Sequence, residues 1–584
     1  MFDPSLCAYL TSGGQMVRLA PPGGSLSPLE FKVDTQGNIS TLTVSASNED
    51  GYDLTAVRWR VTPTPKTYNK QVLTGRTAVF RADPPSSGQS QVTAFVPSTS
   101  GEQQFNLIVN ASAMAQVANL FPKTVSYGNE ALKIETSFGF GTAKTGVPVR
   151  LVRIMSPGSA TERTIIASRT VDFPAGQGVA LSETITFPTT TGLGSGYEYR
   201  WEADLSPTEL VHSRELPIFI LGDDPRCAPQ ALSQQPNTLS YPSVYTRKAS
   251  DTPPITPSAG YTYQQYVDRH AALWKATHLG GAAPGGGWLS FNDYYSNIYW
   301  VDLDDTTIPR HTVNHWDVWG WGYDLAGWYG NDSSAQPYPR VNIARDIPIP
   351  HNAAPAVGTD RSLCIVGMRG GQIETIWEMW LAWRRGNGEW EAASIGKTSA
   401  AEDWRHSVSY TVAASGISAL AYALRIKEAQ AAVNYIKAER AAGRTPSEAE
   451  IVQLIPHSLS VNMPNPRAGT VSYPATFSDG SDPTPTTPAE GQKVYLKSTF
   501  DVVAQNYKPL THAIAVVGKH RGFLVTDRTS WSSTIVVEGD QSYGGGVWST
   551  IRDPSEPWAV QFPDDQWVIG RTYATRAEWD ADTT

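Results

Sequence analysis

The first 222 residues consist mostly of short runs in which apolar and polar residues alternate. A period of two is typical of β-strands, because successive side chains of a strand point to opposite faces of the sheet. Turn-forming residues separate the runs, as in DPPSSGQS at 83–90. The strands that the alternation predicts are TLTVSAS (41–47), AVRWRVTP (56–63), FNLIVN (105–110), LKIETSF (132–138), VPVRLVRIM (147–155) and YEYRWEADL (197–205). Short strands at this spacing predict two β-sandwich domains of immunoglobulin-like size, over residues 1–115 and 116–222.

The alternation is interrupted twice after residue 222. Residues 223–260 are rich in Pro, Ser and Thr, a composition that predicts an extended linker. The run LRIKEAQAAVNYIKAERAAG at 424–443 predicts a helix, and TPSE at 445–448 predicts the start of a second helix with Thr445 as its N-cap. Elsewhere residues 261–584 resume the β pattern, so we expect these helices to be inserted into a third, larger β-domain.

One predicted strand, IETIWEMWLAW at 373–383, is bulky on both of its faces. A half-buried strand ordinarily presents polar residues to water. Alternation would place Trp377, Met379, Leu381 and Trp383 on one face, and Glu374, Ile376, Glu378, Trp380 and Ala382 on the other. The first face is expected in the core. The second face either lines a ligand groove or is also buried, with Glu378 as a buried acid that has hydrogen-bond partners.

Length, charge and cysteine usage limit the possible partners. A chain of 584 residues is too long for a single core, and its net charge of −9 without clustered cations argues against nucleic acid. No run approaches the roughly 20 apolar residues of a membrane-spanning helix, and the opening residues MFDPSLCAYLTSGG lack the pattern of an export signal. Cys7, Cys227 and Cys364 are too widely separated to predict a disulfide framework or a thiolate zinc site. A reducing compartment fits this cysteine usage.

From residue 292 onward, short blocks follow one another in an order that resembles a module of actinobacteriophage minor tail proteins. Similar modules occur in secreted actinobacterial proteins. The blocks are NDYYSNIYWV (292–301), IPIPHNAAPAVGTDRS (347–362), IWEMWLAW (376–383), AASGISAL (413–420), TPSEAEIVQLIPHSLSVNMP (445–464), PAEGQKVYL (488–496) and GFLVTD (522–527). The resemblance implies that residues 261–584 form a jelly-roll-like β-sandwich that serves as a glycan- or receptor-binding domain. The expected fold class is therefore mainly β, with two immunoglobulin-like sandwiches before this larger one.

The concave sheet of a jelly-roll-like sandwich often holds a carbohydrate, so the resemblance implies a glycan-binding groove. Aromatic rings stack on the apolar faces of sugars, and carboxylates accept hydrogen bonds from sugar hydroxyls. The candidate glycan-binding residues are Trp380, Glu374, Glu378, His457 and Tyr299. Two of them have a second interpretation: Trp380 as a core residue, and His457, in an apolar strand, as a buried histidine with satisfied hydrogen bonds.

Catalysis would require more than a groove. Glycoside hydrolysis ordinarily uses two carboxyl groups that flank the scissile bond. The candidate catalytic pair is Glu378 and Asp527, although an Asp at a strand end also commonly initiates a turn. His311 and His315 have a spacing that suits a metal on a helix, but their surroundings are not helical. We therefore expect neither a metal nor a cofactor, and we favour binding over catalysis.

The resemblance implies that the protein is a structural component of the virion tail tip, assembled in the host cytoplasm. Residues 1–222 would contact other tail proteins within a symmetric homo-oligomer, and the module at 261–584 would contact host cell-envelope glycan during adsorption. Two alternatives remain open: a tail-associated enzyme that degrades glycan, and a purely scaffolding tail protein.

Overall fold

The fold is taken from a computed structural model of the chain. The described residues are the strands named below that precede residue 119, together with 52–54, 56–57, 125–140, 143–157, 163–175, 177–206, 209–213, 216–275, 287–290, 296–315, 345–357, 360–392, 394–400, 403–405, 412–529, 533–557 and 559–582. The chain divides into two compact units. The smaller unit contains Met1–Asp223 with the short segments Asn314–Arg340 and Arg384–Ala393, and the larger unit contains the remaining residues.

The smaller unit contains β-sheets, and all the strands predicted from alternation in this part of the chain are confirmed. In order of pairing, one sheet contains Cys7–Leu10, Gly101–Asn110, Gln89–Ser98, Arg58–Thr62 and Val72–Thr74. A second contains Gln15–Leu19, Leu29–Asp34, Thr41–Ala46 and Thr77–Arg81. A third contains Gln116–Ala118, Ala131–Gly139 and Gly178–Thr186. A fourth contains Val125–Tyr127, Leu216–Leu221, Ser195–Ser206, Lys144–Met155 and Thr164–Phe173, with Glu209–His212 beside Ser195–Ser206.

The third and fourth sheets face each other across an apolar core. The indole Nε1 of Trp201 donates a hydrogen bond across the core to the carbonyl of Ile134 at 3.3 Å. The rings of Phe138 and Phe173, one from each sheet, meet edge to face with centroids 6.5 Å apart. Two sheets joined in this way form a β-sandwich.

The larger unit is built on a mixed sheet of seven strands and a second sheet of four strands within the described residues. The seven-stranded sheet runs Ala559–Val560, Gly287–Ser290, Thr534–Val536, Leu459–Pro464, Phe523–Thr529, Lys493–Leu496 and Trp567–Ile569. The four-stranded sheet runs Ser296–Asp302, Ser362–Arg369, Gln372–Trp380 and Ser394–Ser399. Further short strands of this unit are Arg310–His311 and Ile347–Pro348. Val313–His315 and Trp383–Arg384 cross from one unit into the other, and Trp390–Ala392 belongs to the smaller unit.

Helices complete the larger unit. Within its described residues, the α-helices are Ser243–Thr246, Tyr263–Trp274, Ala419–Tyr422, Ile426–Ala441, Glu448–Leu454, Pro509–His520, Val547–Ile551 and Arg576–Ala581. Turns of 3₁₀ helix lie at Pro225–Cys227, Leu232–Gln234, Ala249–Asp251, Gln541–Tyr543 and Asp564–Gln566. Among the described residues, none of the helices combines the length and apolarity needed to cross a membrane.

The seven-stranded sheet is buried on both of its faces, because successive residues of its strands join different cores. Val525 shares one core with Ala432 and Val517, which lie on the helices Ile426–Ala441 and Pro509–His520. Leu524, which points the other way, shares a second core with Ile298 and Ile376 of the four-stranded sheet. The order of layers is therefore helices, seven-stranded sheet, four-stranded sheet.

The helix predicted at 424–443 is confirmed as Ile426–Ala441. The second predicted helix begins later than TPSE indicated. Its N-cap is Ser447, whose hydroxyl accepts a hydrogen bond from the Glu450 amide at 3.5 Å, so Thr445 lies outside the helix. Ser447 and Glu450 have the spacing of a capping box, and this spacing is as good as that of Thr445 and Glu448.

The segment predicted as a linker, 223–260, lies against the larger unit. Tyr245 is fully buried, and its hydroxyl donates a hydrogen bond to the carbonyl of Asp403 at 2.6 Å. The Gln235 amide group donates to the Glu538 carboxyl at 2.6 Å. Composition suggested a free chain, whereas the few aromatic and amide side chains among the prolines and serines find partners in the core.

The mainly β fold class is confirmed. One feature of the larger unit differs from the antiparallel strands of a jelly roll. Leu459–Pro464 pairs in parallel with Phe523–Thr529, and Gly287–Ser290 pairs in parallel with Thr534–Val536. Parallel pairing needs long crossover connections, and the intervening helices provide them.

Candidate functional site

The strand Gln372–Trp380 is buried on both faces along its middle. Ile376 and Glu378 are both 0% exposed, and Ile376 packs in the core between the two sheets of the larger unit. The strand ends at Trp380, because Leu381 adopts a positive φ of 52° and interrupts the alternation. The face predicted to line a groove is therefore mostly a core face.

Glu378, a candidate for both catalysis and glycan binding, is held inside this core. Its Oε1 accepts a hydrogen bond from the backbone amide of Ala419 at 2.7 Å. Ala419 is the first residue of the helix Ala419–Tyr422, where unpaired amides and the helix dipole favour a negative charge. Cys364 lies opposite Glu378 on the adjacent strand, and burial followed by the charge of Glu378 raises the pKa of the Cys364 thiol well above its ordinary value. A carboxyl placed in this way stabilises the fold and does not reach a polysaccharide.

Thr375 and Trp377, on the opposite face of the strand, line a cavity of 610 Å³ together with Glu374. A cavity of this size suits a ligand of a few sugar units. The Lys397 ammonium lies 5.3 Å from the ring centroid of Trp377, its cross-strand partner. The cavity is lined by Leu303, Arg310, Arg345, Asp346, Arg369, Glu374, Thr375, Trp377 and Lys397.

Positive charge is in excess around this cavity, with cationic side chains from Arg310, Arg345, Arg369 and Lys397 against two carboxylates. Arg369 is neutralised locally, since it binds Glu374 at 2.7 Å and also contacts Asp304. Arg345 and Lys397 have no ion pair within the part of the chain that the structure describes. They are therefore available to an anionic ligand.

Trp380 and Asp527 lie in a different region of the larger unit, around Asp360. The half-buried Trp380 donates a hydrogen bond from its indole Nε1 to the Asp360 carboxyl at 3.1 Å. Burial raises the pKa of Asp527, and the nearby charges of Asp479 and Asp360 raise it further. The structure thus brings Trp380 and Asp527 into one neighbourhood, but Glu378 faces its core partner Ala419.

Asp527 stands at an irregularity in its strand. It lies opposite Asn462, and the pairing shifts by one residue at Thr526. Bulges of this kind turn a side chain away from the direction that simple alternation gives it. The Asp527 carboxyl accepts a hydrogen bond from the Arg528 amide at 2.8 Å. The strand continues to Thr529, so the interpretation of Asp527 as the start of a turn is wrong.

Two further acids, Asp479 and Glu490, meet Asp527. One carboxylate oxygen from each residue lies within 4.8 Å of the others. Asp479 is exposed, Asp527 is half-buried and Glu490 is 0% exposed. Oxygen ligands in this arrangement are of the type that hard cations such as Ca²⁺ and Mg²⁺ prefer.

The short distances between these acids contribute to raised pKa values. Burial, followed by the charge of Asp527, raises the pKa of Glu490 to about 11. Burial, followed by the charges of Asp479 and Asp360, raises the pKa of Asp527 well above its ordinary value. Like charges at short range oppose ionisation, so the cluster strongly favours a bound proton or a cation.

The other candidate glycan-binding residues differ in exposure. His457 is fully buried, with Nε2 3.0 Å from the Glu428 carboxyl and Nδ1 2.8 Å from the Ser458 carbonyl, so the interpretation as a buried histidine with satisfied hydrogen bonds is correct. Tyr299 is 1% exposed, and its hydroxyl accepts a hydrogen bond from the Ala354 amide at 2.9 Å. Neither side chain lines an open groove. Glu374 is exposed and lines the cavity.

Sequence reasoning missed Arg345, Lys397, Asp479 and Glu490. Lys397 could have been found by pairing the strand Ser394–Ser399 with the strand Gln372–Trp380. The register of this pair cannot be predicted from the sequence of either strand alone. Glu490 was within a block used for the resemblance, PAEGQKVYL, without being recognised as an acid that meets Asp527. The acids of the cluster are separated by 11 and 37 positions along the chain, so no local spacing predicts their meeting.

No protein-family model and no curated protein matches the chain. Among solved structures, a β-glucosidase from Listeria innocua in complex with gluconolactone is 13% identical, with 19% of this chain and 16% of that chain covered and a TM-score of 0.15. The fibronectin(III)-like modules of Clostridium thermocellum CbhA are 14% identical, with 34% and 98% covered and a TM-score of 0.13. A Niemann-Pick type C2 protein from Japanese carpenter ant is 9% identical, with 18% and 88% covered and a TM-score of 0.14. Similarity this low supports no argument about fold or function.

Proposed function

We propose that the protein is a minor tail protein of an actinobacteriophage virion, and that its larger unit binds an anionic glycan of the host cell envelope. The tail assignment depends on the ordered blocks from residue 292 onward. The glycan assignment depends on one observation, the 610 Å³ cavity with its excess of cationic side chains. The binding surface proposed here is this cavity and not the face of Glu378 and Trp380.

The chemistry of the cavity supports an acidic polysaccharide better than a neutral one. Arg345 and Lys397 can bind carboxylate or phosphate groups, and arginine binds both types of anion in a bidentate manner. Asp346 and Glu374 can accept hydrogen bonds from sugar hydroxyls at the same time. Binding is favoured over hydrolysis, because the fully buried Glu378 cannot flank a glycosidic bond.

A binding measurement on the full chain tests the glycan assignment. The double variant Arg345→Ala/Lys397→Ala should bind acidic host-envelope polysaccharide at least about tenfold more weakly than the unaltered chain, because two cationic side chains of the cavity lining are lost. Lys437→Ala removes the same type of charge from the exposed face of the helix Ile426–Ala441 and should bind normally. Equal binding by the double variant and the unaltered chain would refute the cavity as the site.

A localisation measurement tests the tail assignment separately. Antibodies against the chain, detected by gold labelling in electron micrographs of purified particles, should mark the tip of the tail. Particles that carry no label, although the antibody recognises the isolated chain, would contradict the proposal.

A further inference from the structure

The acidic cluster of Asp479, Glu490 and Asp527 lies outside the cavity lining and uses none of its residues. Each acid comes from a different part of the larger unit. Asp527 belongs to the strand Phe523–Thr529, and Glu490 precedes Gly491, whose amide donates a hydrogen bond to the Val525 carbonyl at 2.7 Å. Glu490 is therefore fixed beside that strand by the backbone.

Asp479 is brought to the cluster by a loop that is itself anchored. The Ala468 amide donates to the Asp482 carbonyl at 2.8 Å, and the Asp482 amide donates to the Pro466 carbonyl at 3.1 Å. The Asp482 carboxyl accepts a hydrogen bond from Thr487 at 2.6 Å and forms an ion pair with Arg269. Asp479 therefore lies only three residues before Asp482, which these contacts hold in place.

The second observation concerns Glu490. It is 0% exposed, and within the described ranges neither of its carboxylate oxygens has a hydrogen-bond partner. One of these oxygens is within 4.8 Å of oxygens from both aspartates. Burying an ionised carboxyl without a hydrogen-bond donor costs folding free energy, and the negative charges of two neighbouring acids increase this cost. A cation among the three carboxylates would remove both penalties.

We propose that Asp479, Glu490 and Asp527 form a calcium-binding site. All three side chains offer oxygen, the ligand atom that Ca²⁺ prefers, and none offers nitrogen or sulfur. Oxygens on opposite sides of Ca²⁺ are roughly 4.8 Å apart at a bond length of about 2.4 Å, and the three oxygens fit within that distance. The remaining ligands would be water or backbone carbonyls, as is common for calcium.

The proposed ion would link the loop that carries Asp479 to the strand that carries Asp527. Binding to the folded state alone raises the unfolding temperature as the concentration of free ion increases. This inference does not depend on the proposed glycan function.

Calcium binding is tested with the full chain after removal of divalent ions by a chelator. Calorimetric titration with calcium chloride should give one bound ion per chain, and calcium should raise the unfolding temperature. Glu490→Gln keeps the shape of the side chain and removes its charge, so it should bind calcium at least about tenfold more weakly. Asp479→Asn makes the same test at an exposed position where misfolding is not a concern.

Asp305→Asn is the matched control, since Asp305 lies in the acidic run DLDD (302–305) outside the cluster. This variant should bind calcium as the unaltered chain does. Absence of calcium binding, or equal binding by Asp479→Asn and the unaltered chain, would overturn the proposal. Binding of magnesium as tight as that of calcium would overturn the choice of ion.

Discussion

At the scale of single residues, the larger unit contains ionised side chains that are buried beside one another. Glu428 accepts hydrogen bonds from Arg425 at 2.6 Å and from Tyr241 at 2.8 Å, and it lies 3.0 Å from His457. Arg425 and Glu428 are almost completely inaccessible to water. A buried pair of this kind is costly to break, because the remaining partner is left as an uncompensated charge.

This network predicts a specific acid sensitivity. Burial alone would raise the pKa of Glu428, but the charges of Arg425 and His457 outweigh it and lower the pKa from 4.5 to about 2. Because the folded-state pKa lies below the unfolded-state value, the stabilisation is complete above about pH 4.5 and is lost as the pH falls towards 2. Glu428→Gln should therefore destabilise the unit by roughly 3–5 kcal/mol at neutral pH and flatten the dependence of stability on pH in this range.

Urea unfolding between pH 2 and pH 7 measures the effect. Glu450→Gln alters an exposed acid on the helix Glu448–Leu454 and serves as the control, with little change expected at any pH. A Glu428→Gln variant with the same acid-dependent loss of stability as the unaltered chain would show that the network does not control this titration.

The same residues show what a sequence can disclose at this scale. The apolar run around His457 correctly predicted a buried histidine as one interpretation, although the strand itself begins only at Leu459. The burial of Glu378 depends on the amide of Ala419, 41 positions away, and no local pattern contains it.

At the scale of elements, the strand Gln372–Trp380 was recognised from its composition. The face of Trp377 and Met379 is buried as predicted, but the face predicted to line a groove is also mostly buried. Period-two alternation tells which residues share a face and does not tell which face meets a second sheet. Here the seven-stranded sheet covers Ile376, and the cavity is lined by Thr375 and Trp377 together with Glu374 near the start of the strand.

The two tryptophans of this strand therefore have distinct expected phenotypes. Trp377, 5% exposed, lines the cavity, and Trp377→Ala should cost roughly 3–5 kcal/mol in unfolding free energy through lost packing. Trp380 is half-buried and absent from the cavity lining, so Trp380→Ala should leave the affinity for acidic glycan within about twofold. Chemical denaturation and a glycan titration measure the two quantities. A large loss of glycan affinity in folded Trp380→Ala protein would instead support the glycan-binding groove predicted from the sequence.

At the scale of the whole molecule, composition predicted a free linker at 223–260, whereas this segment contacts the larger unit through buried side chains. The chain passes from the smaller to the larger unit after Asp223 and returns to the smaller unit in two later segments, and the limits of the two predicted sandwiches stay predictions. The Pro, Ser and Thr content of 223–260 describes a chain with little regular structure, and it does not reveal that a few side chains are buried.

Two tyrosines, Tyr245 inside this region and Tyr261 directly after it, test whether the region belongs to the fold. Tyr245→Ala should cost roughly 3–5 kcal/mol in unfolding free energy, because it empties a fully buried site and removes the hydrogen bond to the Asp403 carbonyl. Tyr261→Ala, at a side chain 37% exposed, should cost less than about 1 kcal/mol. Denaturant unfolding of the full chain compares them. Equal, small effects would mean that the region is a free linker after all.

The most direct test of the central claim is a crystal or cryo-electron microscopy structure of the full chain with an acidic oligosaccharide from the host envelope. We expect ligand density in the 610 Å³ cavity, with an anionic group of the sugar against Arg345 and Lys397 and a sugar face near Trp377. Ligand density beside Trp380 with the cavity vacant, or no bound ligand at a concentration that saturates binding in solution, would contradict the claim.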